Sequence, residues 1–460
     1  MKARSTVTHP PAVAESLAAI VSAMRADALP GEVCEQVDRL LVDVVGLCFA
    51  ARNADYVQAV KRALDERGVC TAIGHAGTLA AEDAALLNGT AAHGEDFDDT
   101  FEGGPVHSGA VIVPAVLAAC ERFACDGPSA RLGIAVGVEA LCRLALVKPK
   151  AIHNAGFHPT GVLGTLAASV GVAAALGAKP EAIVDALGIA GSTTGGIIEY
   201  LTDGASTKRM HAGSAARGGV QAARLAMQGF SGPRTVLEGT HGVFRAFTHG
   251  MDGDFSMLTE GFGERWRLLD LTFKPYATGT MNQPYIDCAR RLAARGIDED
   301  EILDVVCETS EGYVARLWEP IDRKCTPPNA YAAKFSAPFN VAVGFIRGEA
   351  GLAAFSEETV RDPRILALAR KVRYVVDPAN PYPARYTGHV RMTLRDGRVV
   401  EERQPHIRGG VHEPLSRADL ERKFLDNAHY GSVDASRARR LLEHLKATFD
   451  GPLDLAVLRG

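Results

Sequence analysis

Between His93 and Thr100 the chain sets four carboxylates (Glu95, Asp96, Asp98 and Asp99) beside an imidazole and a hydroxyl, and a second imidazole follows at His107. Apolar, Ala-rich sequence lies on both sides. Carboxylates and imidazoles at that density are costly to bury unless they pair, bind a ligand or move protons. The stretch therefore marks a reaction centre or a metal near residue 100. Carboxylate oxygens suit hard cations, but no second acidic motif completes a ligand set, so no metal is expected. Asp96, Thr100 and His107 carry the functional reading; Asp98 and Asp99 are expected to hold the loop in place.

Three further segments carry chemistry. In Gly156-Phe-His158-Pro-Thr160-Gly161, glycine and proline frame a rigid turn that presents His158 just ahead of the apolar run Val162–Ala175. A helix N-terminus there favours a nearby anion and lowers the imidazole pKa; a purely structural histidine is the plain alternative. In Gly204-Ala-Ser-Thr207-Lys208-Arg209-Met-His211-Ala-Gly213, a Lys-Arg pair with a histidine makes an anion-binding arrangement. Gly191-Ser-Thr-Thr-Gly-Gly196 lacks the Gly-Lys-Ser/Thr ending of a phosphate loop. In Phe273-Lys274-Pro275-Tyr276, Lys274 is placed to close onto a substrate carboxylate, or else is a linker lysine. Motifs for a serine nucleophile, a zinc helix or a dinucleotide fold are missing from the right contexts. Acid–base chemistry remains.

The elements that must position these groups change character along the chain. From Ala12 to about Gln228, Ala, Leu and Val recur at three- and four-residue spacing, predicting helix after helix, many apolar on most faces and so buried in a large bundle. Near Asp270 the pattern shifts. Ile302–Glu308 is short and β-branched, and Tyr386–Leu394 alternates before the turn signal Arg395-Asp-Gly and a second run, Arg398–Glu402. Helical spacing returns at Ser416–Asn427 and Ala435–Phe449. The expected fold is mainly α: a large all-helical domain from residues 1–271 plus 405–460, with a smaller α+β lid of 272–404 inserted.

Composition narrows the partners. The 460 residues carry a formal charge of −5, with 23% charged and 6% aromatic residues. No basic tract or stacking platform points to nucleic acid, and no run of about 18 apolar residues points to a membrane span. The nine cysteines form no Cys-x-x-Cys pair, which suits buried thiols in a reducing compartment. Met1–Pro11 has no apolar core of a secretory signal. A cytoplasmic protein is expected.

Taken in order, these segments resemble the MmgE/PrpD family. The match rests on Asp96-Phe-Asp-Asp-Thr100, His107-Ser-Gly109, Gly156–Gly161, Thr207-Lys208 to His211-Ala-Gly213, Phe273-Lys274-Pro-Tyr276, Ala333-Lys334-Phe335-Ser336 and Lys423-Phe424 to Asn427-Ala428. The resemblance implies a homodimer and an active site between the domains with no cofactor. It implies that Asp96, Thr100, His107, His158, Lys208 and Lys274 line the pocket, and that the substrates are small di- and tricarboxylates. Lys208, Lys274 and Arg209 would then hold substrate carboxylates, His158 or His107 would move a proton, and Asp96 would orient an imidazole. The chain departs from the family pattern at Gly279, where decarboxylases carry a histidine. It departs again at Asn282-Gln283, Ala332 and Phe339. These departures weigh more against decarboxylation than against dehydration. The expected activity is a cofactor-independent lyase, a dehydratase of a small polycarboxylate or related hydroxy acid. An epimerase using the same base, and a non-catalytic carboxylate-binding helical dimer, are the alternatives.

Overall fold

A computed structural model describes residues 10–250 and 252–460. The sequence stretch read for a signal, Met1–Pro11, lies outside the described residues up to His9. The fold is mainly α. Its core is a bundle of long helices: Gly31–Ala51, Ala81–His93, Gly109–Phe123, Gly127–Val147, Pro159–Ala175, Pro180–Thr193 and Thr207–Met227. Pro159–Ala175 is buried on nearly every face, as its uninterrupted apolar composition requires. No helix among the described residues is long and apolar enough to cross a membrane.

Small residues set how closely the helices approach. Ala81–His93 crosses Thr207–Met227 at Gly89 and Gly213, where a Cβ on Gly89 would lie 2.7 Å from the Gly213 Cα. That crossing brings His93, the last residue of one helix, towards Lys208 in the first turn of the other. Lys208 and Arg209 both lie in the first turn of that helix, which starts at Thr207.

The bundle is not purely helical. Thr100–Phe101 pairs antiparallel with Leu271–Thr272, and Cys70–Thr71 with Thr78–Leu79. Two-residue ladders are too short for a periodicity to show in sequence. The first ladder ties the segment carrying Thr100 to the one leading into Lys274.

Beyond residue 300 a four-stranded sheet forms in the order Val372–Val376, Ile302–Thr309, Gly388–Leu394, Val399–Gln404. The first pair is parallel and the others antiparallel. The turn at Arg395-Asp-Gly closes as the sequence indicates, with Gly397 at a positive φ of 87°. Helices Gln283–Ala293 and Ala337–Arg347 pack against one another, and the first of them covers the sheet. Helix Arg417–Tyr430 opens on a capping box between Ser416 and Asp419. It returns to Gly31–Ala51, where Phe424 lies 3.1 Å from the position a Gly46 Cβ would take.

Candidate active site

Helix Ala81–His93 ends in a loop whose backbone is held by three lysines. The carbonyl of Glu95 accepts from Lys334 Nζ at 2.7 Å, that of Asp96 from Lys274 Nζ at 2.9 Å, and that of Phe97 from Lys423 Nζ at 2.7 Å. Lys423 also pairs with the buried Asp43 at 2.7 Å, and Lys334 with the Glu95 carboxylate at 2.6 Å. Asp96 sits at φ 54°, a left-handed conformation that aspartate tolerates better than most residues. The turn tucks three consecutive carbonyls towards three ammonium groups. Each bond is charge-assisted and screened from water.

Asp96 itself is 3% exposed. Its carboxylate forms an ion pair with Lys208 and accepts from the Tyr331 hydroxyl at 3.1 Å. Burial works to raise its pKa, but Lys208 and Lys274 win and hold it well below the usual carboxylate range. The sequence assigned Asp96 to an imidazole; the structure gives that contact to Asp98. Asp98 Oδ2 lies 2.7 Å from His93 Nδ1 and 3.4 Å from His107 Nδ1. Despite full burial, Asp98 is held well below the usual carboxylate range, with the His93 hydrogen bond and the Lys274 ammonium on its side. Asp99 does hold the loop: it accepts from the backbone N–H of Ser108 at 3.0 Å and Gly109 at 2.8 Å, at the start of helix Gly109–Phe123. Burial and the adjacent Asp98 charge push Asp99 up to about 7.

His107 Nδ1 donates to the Asp99 carbonyl at 2.8 Å and lies 3.3 Å from Thr100 Oγ1. A carbonyl only accepts, so the hydrogen is on Nδ1 and Nε2 of the neutral ring is a lone pair. Burial takes His107 down to about 3, against the pull of Asp98. His158 is the N-cap of Pro159–Ala175 and lies 3.2 Å, Nδ1 to Nδ1, from His211. Burial, more than the helix terminus, carries His158 well below the ordinary histidine range, and His211 to about 4. The His93 ring lies between His107 and His158, with centroids 4.9 and 5.7 Å away.

His93, Asp98 and His107 bring three donor atoms within 4.8 Å of one another, compact enough to hold a cation. The contacts account for the cluster without one. Both Nδ1 atoms face acceptor-only oxygens and so carry hydrogens, leaving no lone pair there for a metal.

The structure thus brings Asp96, Thr100, His107, His158, Lys208 and Lys274 into one region. Arg209 stands at its edge: its guanidinium stacks between Tyr56 and Tyr331, 4.6 and 4.3 Å from the ring centroids, and donates to the Gly94 carbonyl. Tyr331 and Tyr200 belong to the region but were not found from sequence, because each lies in a four-residue helix, too short to show a spacing signal. Of the departures, Phe339 is fully buried against Phe355. Gln283 is spent on the carbonyls of Tyr276 and Thr278, and Ala332 lies in the short helix Ala330–Ala333. Gly279 stands nearest the site: a Cβ there would lie 3.3 Å from the Phe335 ring, over which Lys208 Nζ sits at 5.8 Å.

The region is shut. Asp96, His158 and Lys274 are 3%, 4% and 1% exposed, and a cavity of about 350 Å³ beside Phe101, Arg385 and His412 includes none of them. Tyr331 and Lys334 close it over Asp96 and Glu95.

The buried neutral rings fix a pH dependence. His107, His158 and His211 refuse protons that an unfolded chain accepts below about 6.5. Stability therefore falls as pH drops from 6.5 towards 4, by about 1.4 kcal/mol per pH unit for each ring. Asp99 acts oppositely, because its folded form keeps a proton between about pH 4 and 7 that the unfolded chain releases. Burial also raises Asp43, Glu139 and Asp287, which act in the same sense as Asp99, and lowers a fourth ring, His75, to about 4; the strongly lowered imidazoles outweigh the raised acids. Thermal melts should show Tm decreasing from pH 7 to pH 5; a flat or rising Tm would refute the neutral cluster.

Comparison with known proteins places this geometry. Residues 15–256 match the MmgE/PrpD N-terminal domain, and residues 276–447 match the MmgE/PrpD C-terminal domain. Cis-aconitate decarboxylase from Aspergillus terreus (strain NIH 2624 / FGSC A1156) is 28% identical, across 95% of this chain and 93% of its own length. The Mus musculus and Homo sapiens proteins of the same name are each 26% identical, across 90% of this chain and 86% and 88% of their own lengths.

Proposed function

The chain belongs to the MmgE/PrpD family, and from that premise we propose that it is a cofactor-independent lyase, a dehydratase of a small di- or tricarboxylate or related hydroxy acid. The observation that carries this reading is the buried juxtaposition of two ammonium groups, Lys208 and Lys274, with neutral imidazoles. An ammonium has three donors, and Lys274 spends one on the Asp96 carbonyl. A substrate carboxylate can take the place of Asp96 on Lys208. His107, with Nδ1 committed, offers Nε2 as the base for a proton α to a carboxylate. Fixed ammonium groups then stabilise the enolate-like charge as it develops, in a site that excludes water. His158 and Thr100 line the same space.

Gly279 favours a second reading. It carries no side chain to donate a proton, and an epimerase, which removes and returns one proton, needs no donor for a leaving hydroxyl. Proton NMR in D2O with a panel of di- and tricarboxylates separates the two. Release of water is the expected result. Deuterium exchange without net product would support the epimerase, and binding without either would leave only the carboxylate-binding dimer.

A homodimer in the cytoplasm is part of the same proposal. The exposed Ile197, Leu201 and Met210 supply apolar area beside the site for a second copy, and nine unpaired thiols suit a reducing compartment.

A further inference from the structure

Dehydration needs two proton movements, and the residues assigned so far account for only one. His107 takes the proton from carbon. The departing hydroxyl must gain one, since hydroxide is a poor leaving group, and Gly279 supplies no donor. A buried, unsatisfied group elsewhere in the region fits the task.

His93 is 1% exposed, and its Nε2 is buried with no hydrogen-bond partner among the described residues. Such atoms are rare in folded proteins and call for an explanation. The other nitrogen is not free: Nδ1 lies 2.7 Å from Asp98 Oδ2. The groups facing the ring are Asp98, the neutral rings of His107 and His158, and the charges of Asp96, Lys208 and Lys274 beyond. An ionised carboxylate bonded to Nδ1 is the arrangement that steadies an imidazolium. Here Asp98 serves His93 at hydrogen-bond distance and His107 only at 3.4 Å.

Resting on the dehydratase reading, we propose that His93, charged and oriented by Asp98, is the proton donor to the leaving hydroxyl. His107 Nε2 removes the proton α to the carboxylate, and the C–H electron pair becomes the new double bond. The C–O bond breaks with its electrons on oxygen. That oxygen takes the Nε2 proton of His93 and leaves as water. His107 ends protonated and His93 neutral, and both exchange one proton with solvent once the product has gone. No oxidant, reductant or further reactant is needed.

The test compares wild type, His93→Gln and Asp98→Asn on an accepted hydroxy acid and on the analogue with fluorine in place of the hydroxyl. Fluoride leaves without a proton. Loss of a general acid typically costs 10²- to 10⁴-fold. Both variants should lose dehydration by about 100-fold or more, while His93→Gln should release fluoride within a few-fold of wild type and keep deuterium exchange at the α-carbon. Exchange and fluoride release report that the site is still assembled. If His93→Gln dehydrates at the wild-type rate, the donor role falls and the lyase reading stands. If it loses dehydration, exchange and fluoride release together, His93 is a structural residue. A wild type that exchanges deuterium but never releases water overturns the dehydratase reading and this role with it.

Discussion

Lys208→Met should abolish turnover and, at the same time, cost about 3–5 kcal/mol of stability, the usual penalty for stranding one member of a buried ion pair. The partner left behind is Asp96, 3% exposed and kept ionised by Lys208 and Lys274 against the cost of burial. Among the described residues, only the Tyr331 hydroxyl would still reach its carboxylate. Adding Asp96→Asn removes the stranded charge, so the double variant should recover most of the lost stability. It should not recover turnover, because the ammonium meant for the substrate carboxylate is still missing. Urea unfolding and turnover assays on the four members of this cycle separate the two roles. Wild-type stability in Lys208→Met would mean that the pair is effectively solvated. Activity in the double variant would remove Lys208 from the site.

The second large effect lies away from the chemistry. A Cβ on Gly213 would collide with the Leu86 carbonyl and lie 2.9 Å from the Thr90 backbone nitrogen. These are backbone atoms of helix Ala81–His93, which cannot swing aside as a side chain can. Gly213→Val should therefore cost roughly 4–5 kcal/mol, the upper end for a single substitution. The two helices can relieve the clash only by separating, which draws His93 away from Lys208, so activity should fall even in the fraction that stays folded. Gly31→Ala is the control: nothing lies within 4 Å of its added methyl, and it should leave the urea midpoint unchanged or slightly higher. A Gly213→Val protein as stable as wild type would mean that the helices cross elsewhere.

What the sequence made legible follows from the range of the forces involved. Helix periodicity and the hairpin at Arg395-Asp-Gly are local, and they read directly. His107 was legible from the carboxylate-rich stretch it follows, and His158 because glycine and proline frame it. Lys208 was legible from its pairing with Arg209 and His211, and Lys274 from its place near the change of pattern at Asp270. The partners were not legible. Nothing local states that Asp96 faces Lys208 and Tyr331 rather than an imidazole, or that Asp98 bonds His93. Those pairings depend on a helix crossing at Gly89 and Gly213 and on a left-handed residue at Asp96, both decided by contacts far apart in the chain. The sheet-side departures at Gln283 and Phe339 looked like losses to the site. They are core residues instead, which burial alone reveals.

The three lysines on the carbonyls of residues 95–97 make the reactive loop conditional on the rest of the molecule. They come from positions 274, 334 and 423, the last on a helix near the end of the chain. A nascent chain can form the Ala81–His93 helix early, but the loop after it takes its working shape only when residues from all three later regions have arrived. Copies that stop short, or that are clipped before Lys423, lack one of the three supports. They should be silent rather than partly active, so a cell making this protein would not meet a half-built catalyst acting on its carboxylic acids.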